Sequence, residues 1–179
     1  MREKIPNMRN MNKKTISSFV KWLQNKRELL LYVPIYFFLS FTDLVLKLRH
    51  AETWQTGKLA ENHALLMAFQ YTNNEQSRIL QFLIPEAFQR LFGFSVITSY
   101  AINRLVFVFL AFVVFHFFLR KWFSEIASFA GVMILSAGLP IAFLVTDLQE
   151  SAPLLMLLFV LGLWAIREEK DAWFSVFLL

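Results

Sequence analysis

The chain has 179 residues, 57% hydrophobic and 17% charged, where ordinary soluble proteins carry roughly 45–50% apolar and about 25% charged residues. The apolar residues come in blocks, and 21 residues are phenylalanine, which excludes a small soluble domain and predicts an all-α protein of the membrane. The net charge of +5 is concentrated in a tail, with Arg2, Lys4, Arg9, Lys13, Lys14, Lys21, Lys26 and Arg27 opposed only by Glu3 and Glu28. An isolated basic tail is not the patterned face that nucleic acid requires, so no nucleic acid is expected among the partners. Cysteine is absent, which excludes disulfides.

Residues 1–28 read as a basic cytoplasmic tail. Ile16, Phe19, Val20 and Leu23 recur at helical spacing beside lysines and Trp22, which predicts a short helix lying in the interface; before Thr15 a disordered tail fits equally well. Residues 29–179 read as a transmembrane helical domain. Its first span, Leu29–Leu46, has 18 residues, too long for the ~7–15-residue apolar region of a cleaved signal peptide, and no small-residue cleavage site follows. Pro34 is expected in the first turns, where a missing N–H does least harm.

An outer loop of about 47–95 comes next, long enough to need structure of its own. Within Arg78–Gly93 the residues Arg78, Gln81, Glu86, Gln89 and Arg90 share one stripe with Pro85, opposite Ile79, Leu80, Leu83, Ile84, Ala87, Phe88 and Leu91. This predicts an amphipathic helix on the membrane surface, kinked at Pro85 and closed by Gly93. A weaker helical pattern covers Lys58–Tyr71. Further spans are predicted over Val96–Leu119, Ile126–Thr146 and Ala152–Ile166, bounded by Arg120-Lys121, Pro153 and Arg167. Ala172–Leu179 begins a fifth apolar run of eight residues, only ~12 Å of helix against a ~30 Å hydrocarbon core. That predicts either a piece of a longer protein or an end buried against a partner. With the N-terminus inside, 12 basic residues fall on the cytoplasmic side and six outside, which fits a multi-pass protein of the plasma (inner) membrane.

No nucleotide-binding, zinc-finger or nucleophile-elbow spacing occurs. Asp43 lies in the last turn of the first span, where a charge must reach the interface or a wet cavity and can serve as an acid or base. Asp147 and Glu150 fit solvated turn positions. Arg104, beside Asn103 in the outer part of the second span, can bind phosphate, pair with a carboxylate or snorkel. His50 and His63 flank Glu52 and Glu61, a loose metal-ligand set whose spacing matches no standard site. His116 lies within the apolar run Val113–Phe118 and can either ligate a haem or pigment or hydrogen-bond a neighbouring helix. Gly131 and Gly138, with Ala127 and Ala142, form a small-residue face for helix packing.

The order of parts resembles the N-terminal portion of a polytopic GT-C-type membrane glycosyltransferase. The run Arg78-Ile-Leu-Gln-Phe-Leu-Ile-Pro85, then Leu91-Phe-Gly-Phe-Ser95, is similar to the family's arginine-leucine-proline and glycine-serine stretch ahead of the second span. The resemblance covers about residues 29–179. It implies sugar transfer from a polyprenyl-phosphate donor at the outer face, with Asp43 in the catalytic position. Arg78 and Arg104, or a divalent metal, would hold the departing phosphate. The second expectation, from a different class, is a non-catalytic multi-span subunit of a larger energy-converting or pigment-binding membrane complex.

Overall fold

A computed structural model describes residues 8–50, 55–70, 79–143 and 152–170. All six elements among them are α-helices, and no strand occurs there. They are α1 (Met8–His50), α2 (Gln55–Met67), α3 (Ile79–Phe92), α4 (Val96–Leu119), α5 (Glu125–Phe143) and α6 (Ala152–Arg167).

α1 runs 43 residues without a break between tail and first apolar stretch. The lysines and arginines that mark the tail as polar are good helix formers, and no glycine interrupts them. Pro34 therefore lies inside the helix and not in its first turns, a correction to the expectation from sequence. Residues up to Ile35 form one compact unit and those from Tyr36 onward a second.

In the second unit α4 is the shared neighbour, packing on α2, α3, α5 and α6. Its start is fixed by Ser95, an extended residue whose Oγ accepts from the Thr98 N–H at 3.2 Å, which satisfies one of the donors a helix N-terminus leaves open. At its other end the chain turns through Arg120–Ser124. There Lys121 Nζ lies 2.8 Å from Glu168 Oε1 and over the Trp164 ring, while Arg167 lies over Trp122. α1 reaches α4 through long side chains, as in the edge-on contact of Phe37 with Phe109.

The interior holds polar and charged groups among its apolar ones, while many large apolar side chains face outward. From Tyr36 onward, α1 buries Tyr36, Ser40, Asp43, Leu44 and Lys47 and exposes Phe37, Phe38, Phe41, Val45 and Leu46. α4 buries Ser99, Arg104 and His116 while Ile97, Val106 and Leu110 face outward. On α3, Gln81, Phe82 and Pro85 turn inward, and Leu80, Leu83, Leu91 and Phe92 lie outside with Arg90. Water would make such an arrangement costly, because about 25 cal/mol is gained per Å² of apolar surface removed from it.

Two helical segments, Leu30–Arg49 and Val96–Leu119, are long and apolar enough to cross a membrane. α6 is shorter, 16 residues or about 24 Å at ~1.5 Å per residue. α3 follows the predicted amphipathic pattern and ends at Gly93, whose φ of +70° suits a residue without Cβ and whose N–H bonds the Gln89 carbonyl. The expected fifth run, Ala172–Leu179, lies outside the described residues, as do Asp147 and Glu150.

Candidate functional site

The polar side chains converge at the end of α4 that bears its N-terminus. Asp43 and Arg104 meet there: Arg104 Nε donates to Asp43 Oδ2 at 3.1 Å, with both side chains less than a tenth exposed. The stripe of α1 that carries Tyr36, Ser40 and Asp43 at helical spacing aims the carboxylate at α4. Arg104 sits one turn beyond Tyr100 on the face of α4 that also buries Val108 and Ala111. Of the three roles open to Arg104 from sequence, the structure shows the pairing with a carboxylate. Asp43 is not in the last turn of its helix, which runs on to His50, and its side chain is turned into the protein.

Adjacent to this pair is a hydrogen-bonded chain that sequence reasoning did not assemble. His63 on α2 is buried; its Nδ1 lies 2.9 Å from the Tyr100 hydroxyl and its Nε2 2.9 Å from Glu86 Oε2. The Gln89 amide lies 3.0 Å from the same Nε2. The other oxygen of Glu86 accepts from Arg90 Nε, one turn on along α3. These bonds hold the Glu86 carboxyl below the ordinary glutamate range, His63 contributing most and Arg90 next. Tyr100 also packs with Leu44 and Leu59, so the residue after Asp43 and the partner of His63 share one apolar cluster.

His63 is thus engaged by Tyr100 and Glu86, whereas its sequence neighbour Glu61 is exposed on another face of α2. Glu52 and the side chain of His50 lie outside the described residues, and among those described no group of three metal-type ligands occurs. Arg78 also lies outside them, so of the two arginines expected beside Asp43 only Arg104 is placed. The signal that points to this chain is the polar stripe of α3. Polar residues of that stripe that are turned inward, Gln81, Glu86 and Gln89, need partners there.

His116 lies farther along α4, buried, with its Nδ1 2.7 Å from the Tyr36 hydroxyl. Tyr36 stacks on Phe129 of α5, and Phe117 meets the imidazole edge-on. One ring nitrogen is therefore held by α1, the neighbouring-helix hydrogen bond of the sequence reading. The same contact would orient the ring if a haem or pigment were bound through its other nitrogen.

Comparison of the chain with protein-family models, with curated proteins and with solved structures finds no match.

Proposed function

We propose that the chain is a multi-pass membrane protein with its basic tail in the cytoplasm, and that it belongs to a GT-C-type glycosyltransferase. It would act on a polyprenyl-phosphate sugar at the outer face of the plasma (inner) membrane. The observation that carries this reading is the Asp43–Arg104 pair, a carboxylate and a cation of the kind that binds phosphate brought within 3.1 Å between the two helices long enough to cross. The large apolar side chains that face outward support the membrane setting. α5 and α6 supply the third and fourth crossings, with α3 lying along the surface.

In the resting arrangement the two groups neutralise each other. A donor phosphate competes for Arg104 and draws the guanidinium from Asp43, which leaves the carboxylate able to accept a proton. The acceptor hydroxyl then attacks the anomeric carbon, its proton passes to Asp43, and the carbon–oxygen bond to phosphate breaks. The electron pair leaves with the phosphate, facing Arg104. Substrate binding would thereby create the base that the reaction needs.

The test is transfer of labelled sugar by the intact protein in membranes. Asp43→Asn should lower transfer, measured per amount of inserted and folded protein, by at least ~10²-fold, the usual worth of a general base. Retained activity would overturn the assignment. The burial of the pair favours a second reading, a non-catalytic subunit in which the two charges lock α1 to α4. The exchanged pair, Asp43→Arg with Arg104→Asp, separates the two, because it restores the wild-type level of assembly for a lock and restores no transfer for a catalyst.

A further inference from the structure

We propose that Glu86, His63 and Tyr100 form a proton relay joining the half-exposed surface of α3 to the interior of the candidate site, with His63 as the residue that exchanges the proton.

The ionised Glu86 selects one assignment of hydrogens among the three groups. The ionised Glu86 can only accept, so the His63 nitrogen facing Oε2 at 2.9 Å carries a hydrogen. The structure sets Gln89 Nε2 3.0 Å from that nitrogen and 3.5 Å from the Pro85 carbonyl; with a hydrogen on His63 Nε2 the amide must turn over, giving up the long contact to Pro85 so that its oxygen accepts from the imidazole. His63 Nδ1 is left with a lone pair toward the Tyr100 hydroxyl, which donates to it at 2.9 Å. A carboxylate that fixes the tautomer of an imidazole, whose second nitrogen faces a hydroxyl, is the arrangement by which proteins make a hydroxyl yield its proton. The edge-on packing of the two rings, 5.5 Å between centroids, keeps the contact in register.

The transfer balances without a further reagent. The phenolic proton moves from Tyr100 to His63 Nδ1, leaving phenolate and imidazolium. The Nε2 proton passes to Glu86 Oε2 and on to water, Tyr100 takes a proton from the inner side, and the imidazole, left with its hydrogen on Nδ1, turns over to restore the starting tautomer, so that one proton has crossed. The groups facing His63 are Glu86 and Gln89 of α3, with Arg90 behind Glu86, and Tyr100 of α4; on its own helix Glu61 points away. Arg90 is largely exposed and Glu86 partly so, while Tyr100 is 1% exposed, so the chain runs from water inward. It ends one turn of α4 from Arg104, where the proton taken up by Asp43 must eventually leave. That use rests on the glycosyltransferase reading; the relay itself does not.

The experiment is nuclear magnetic resonance of the full chain in nanodiscs, with nitrogen-15 histidine and ring carbon-13 tyrosine, followed from pH 5 to pH 9. The His63 Nδ1 and Tyr100 Cζ signals should move together. The Tyr100→Phe variant should displace the His63 curve, and Glu86→Gln, which keeps the shape but not the charge, should uncouple the two signals. A Tyr100 signal that stays flat while His63 titrates, or identical His63 curves in wild type and Glu86→Gln, would overturn the relay and leave a static strut. Glycosyl transfer measured on the same samples reports on the enzyme reading separately, since the coupling is scored with no substrate present.

Discussion

Arg104 Nε lies 3.1 Å from Asp43 Oδ2, joining two helices across 61 positions of the chain in a setting where neither side chain is more than 8% exposed. A pair so placed is held less by its mutual attraction than by the cost of leaving either member alone.

Removing one member should therefore destabilise the fold strongly. Asp43→Ala or Arg104→Ala should each cost about 3–5 kcal/mol, and the double replacement by apolar residues of similar volume clearly less than their sum. Unfolding in detergent, titrated with denaturant, measures this. Additive losses would show that the two side chains do not interact.

The outward apolar side chains of α3 face lipid if the proposed membrane setting holds. The chain has no cysteine, so single cysteines can be introduced and spin-labelled without background. A label at Leu91 should be accessible to membrane-dissolved oxygen, and one at Gln81, on the inward face, should not. Equal access of a water-soluble relaxation agent to Leu91 would place that face in water.

Topology can be tested the same way. Lys58 and Lys121 are both exposed and fall on opposite sides of the proposed membrane. Cysteines at the two positions should react with an impermeant maleimide from opposite sides of sealed vesicles. Labelling of both from one side would contradict the four-crossing arrangement.

Glu86 gives a pH dependence. Its carboxyl is held below the ordinary range by His63 and Arg90. A group whose pKa is lower in the folded than in the unfolded chain stabilises the fold above the unfolded value and loses that contribution as pH falls through the folded one. The tie of α2 to α3 should thus be intact near neutrality and weaken below about pH 4, the ordinary glutamate region. Hydrogen exchange of the α2 amides, corrected for intrinsic rates, should rise over that interval in wild type and stay level in Glu86→Gln. The same rise in both would remove Glu86 as its cause.

How much of this was visible in the sequence depended on whether a feature was local. The limits of α4 follow from a mainly apolar block and Arg120-Lys121, all within a short stretch, and the start of α6 from Pro153. The start of α1 was hidden because charge was taken for an end of helix, although Lys21, Lys26 and Arg27 favour helix as much as leucine does. Asp43 stood out because a carboxylate is costly where apolar residues surround it. His63 did not, because its meaning lies in Glu86 and Tyr100, 23 and 37 residues away on two other helices. No spacing rule connects them, and only the packing of α2 and α3 on α4 does.

The position of α4 as common neighbour also constrains how such a chain is made. In a membrane, α1 would leave the ribosome first and stand with Asp43 in place before α4 is synthesised. An arginine entering hydrocarbon without a partner costs on the order of 2.5–3.5 kcal/mol near the middle of a helix and less toward its ends. For Arg104 the waiting carboxylate reduces that cost at the moment of insertion. The flanks of α4 that later receive α5 and α6 would meanwhile face lipid or an insertion factor. Translation halted after α4 should leave a nascent chain already tethered to α1, and one lacking Asp43 should linger at the translocon.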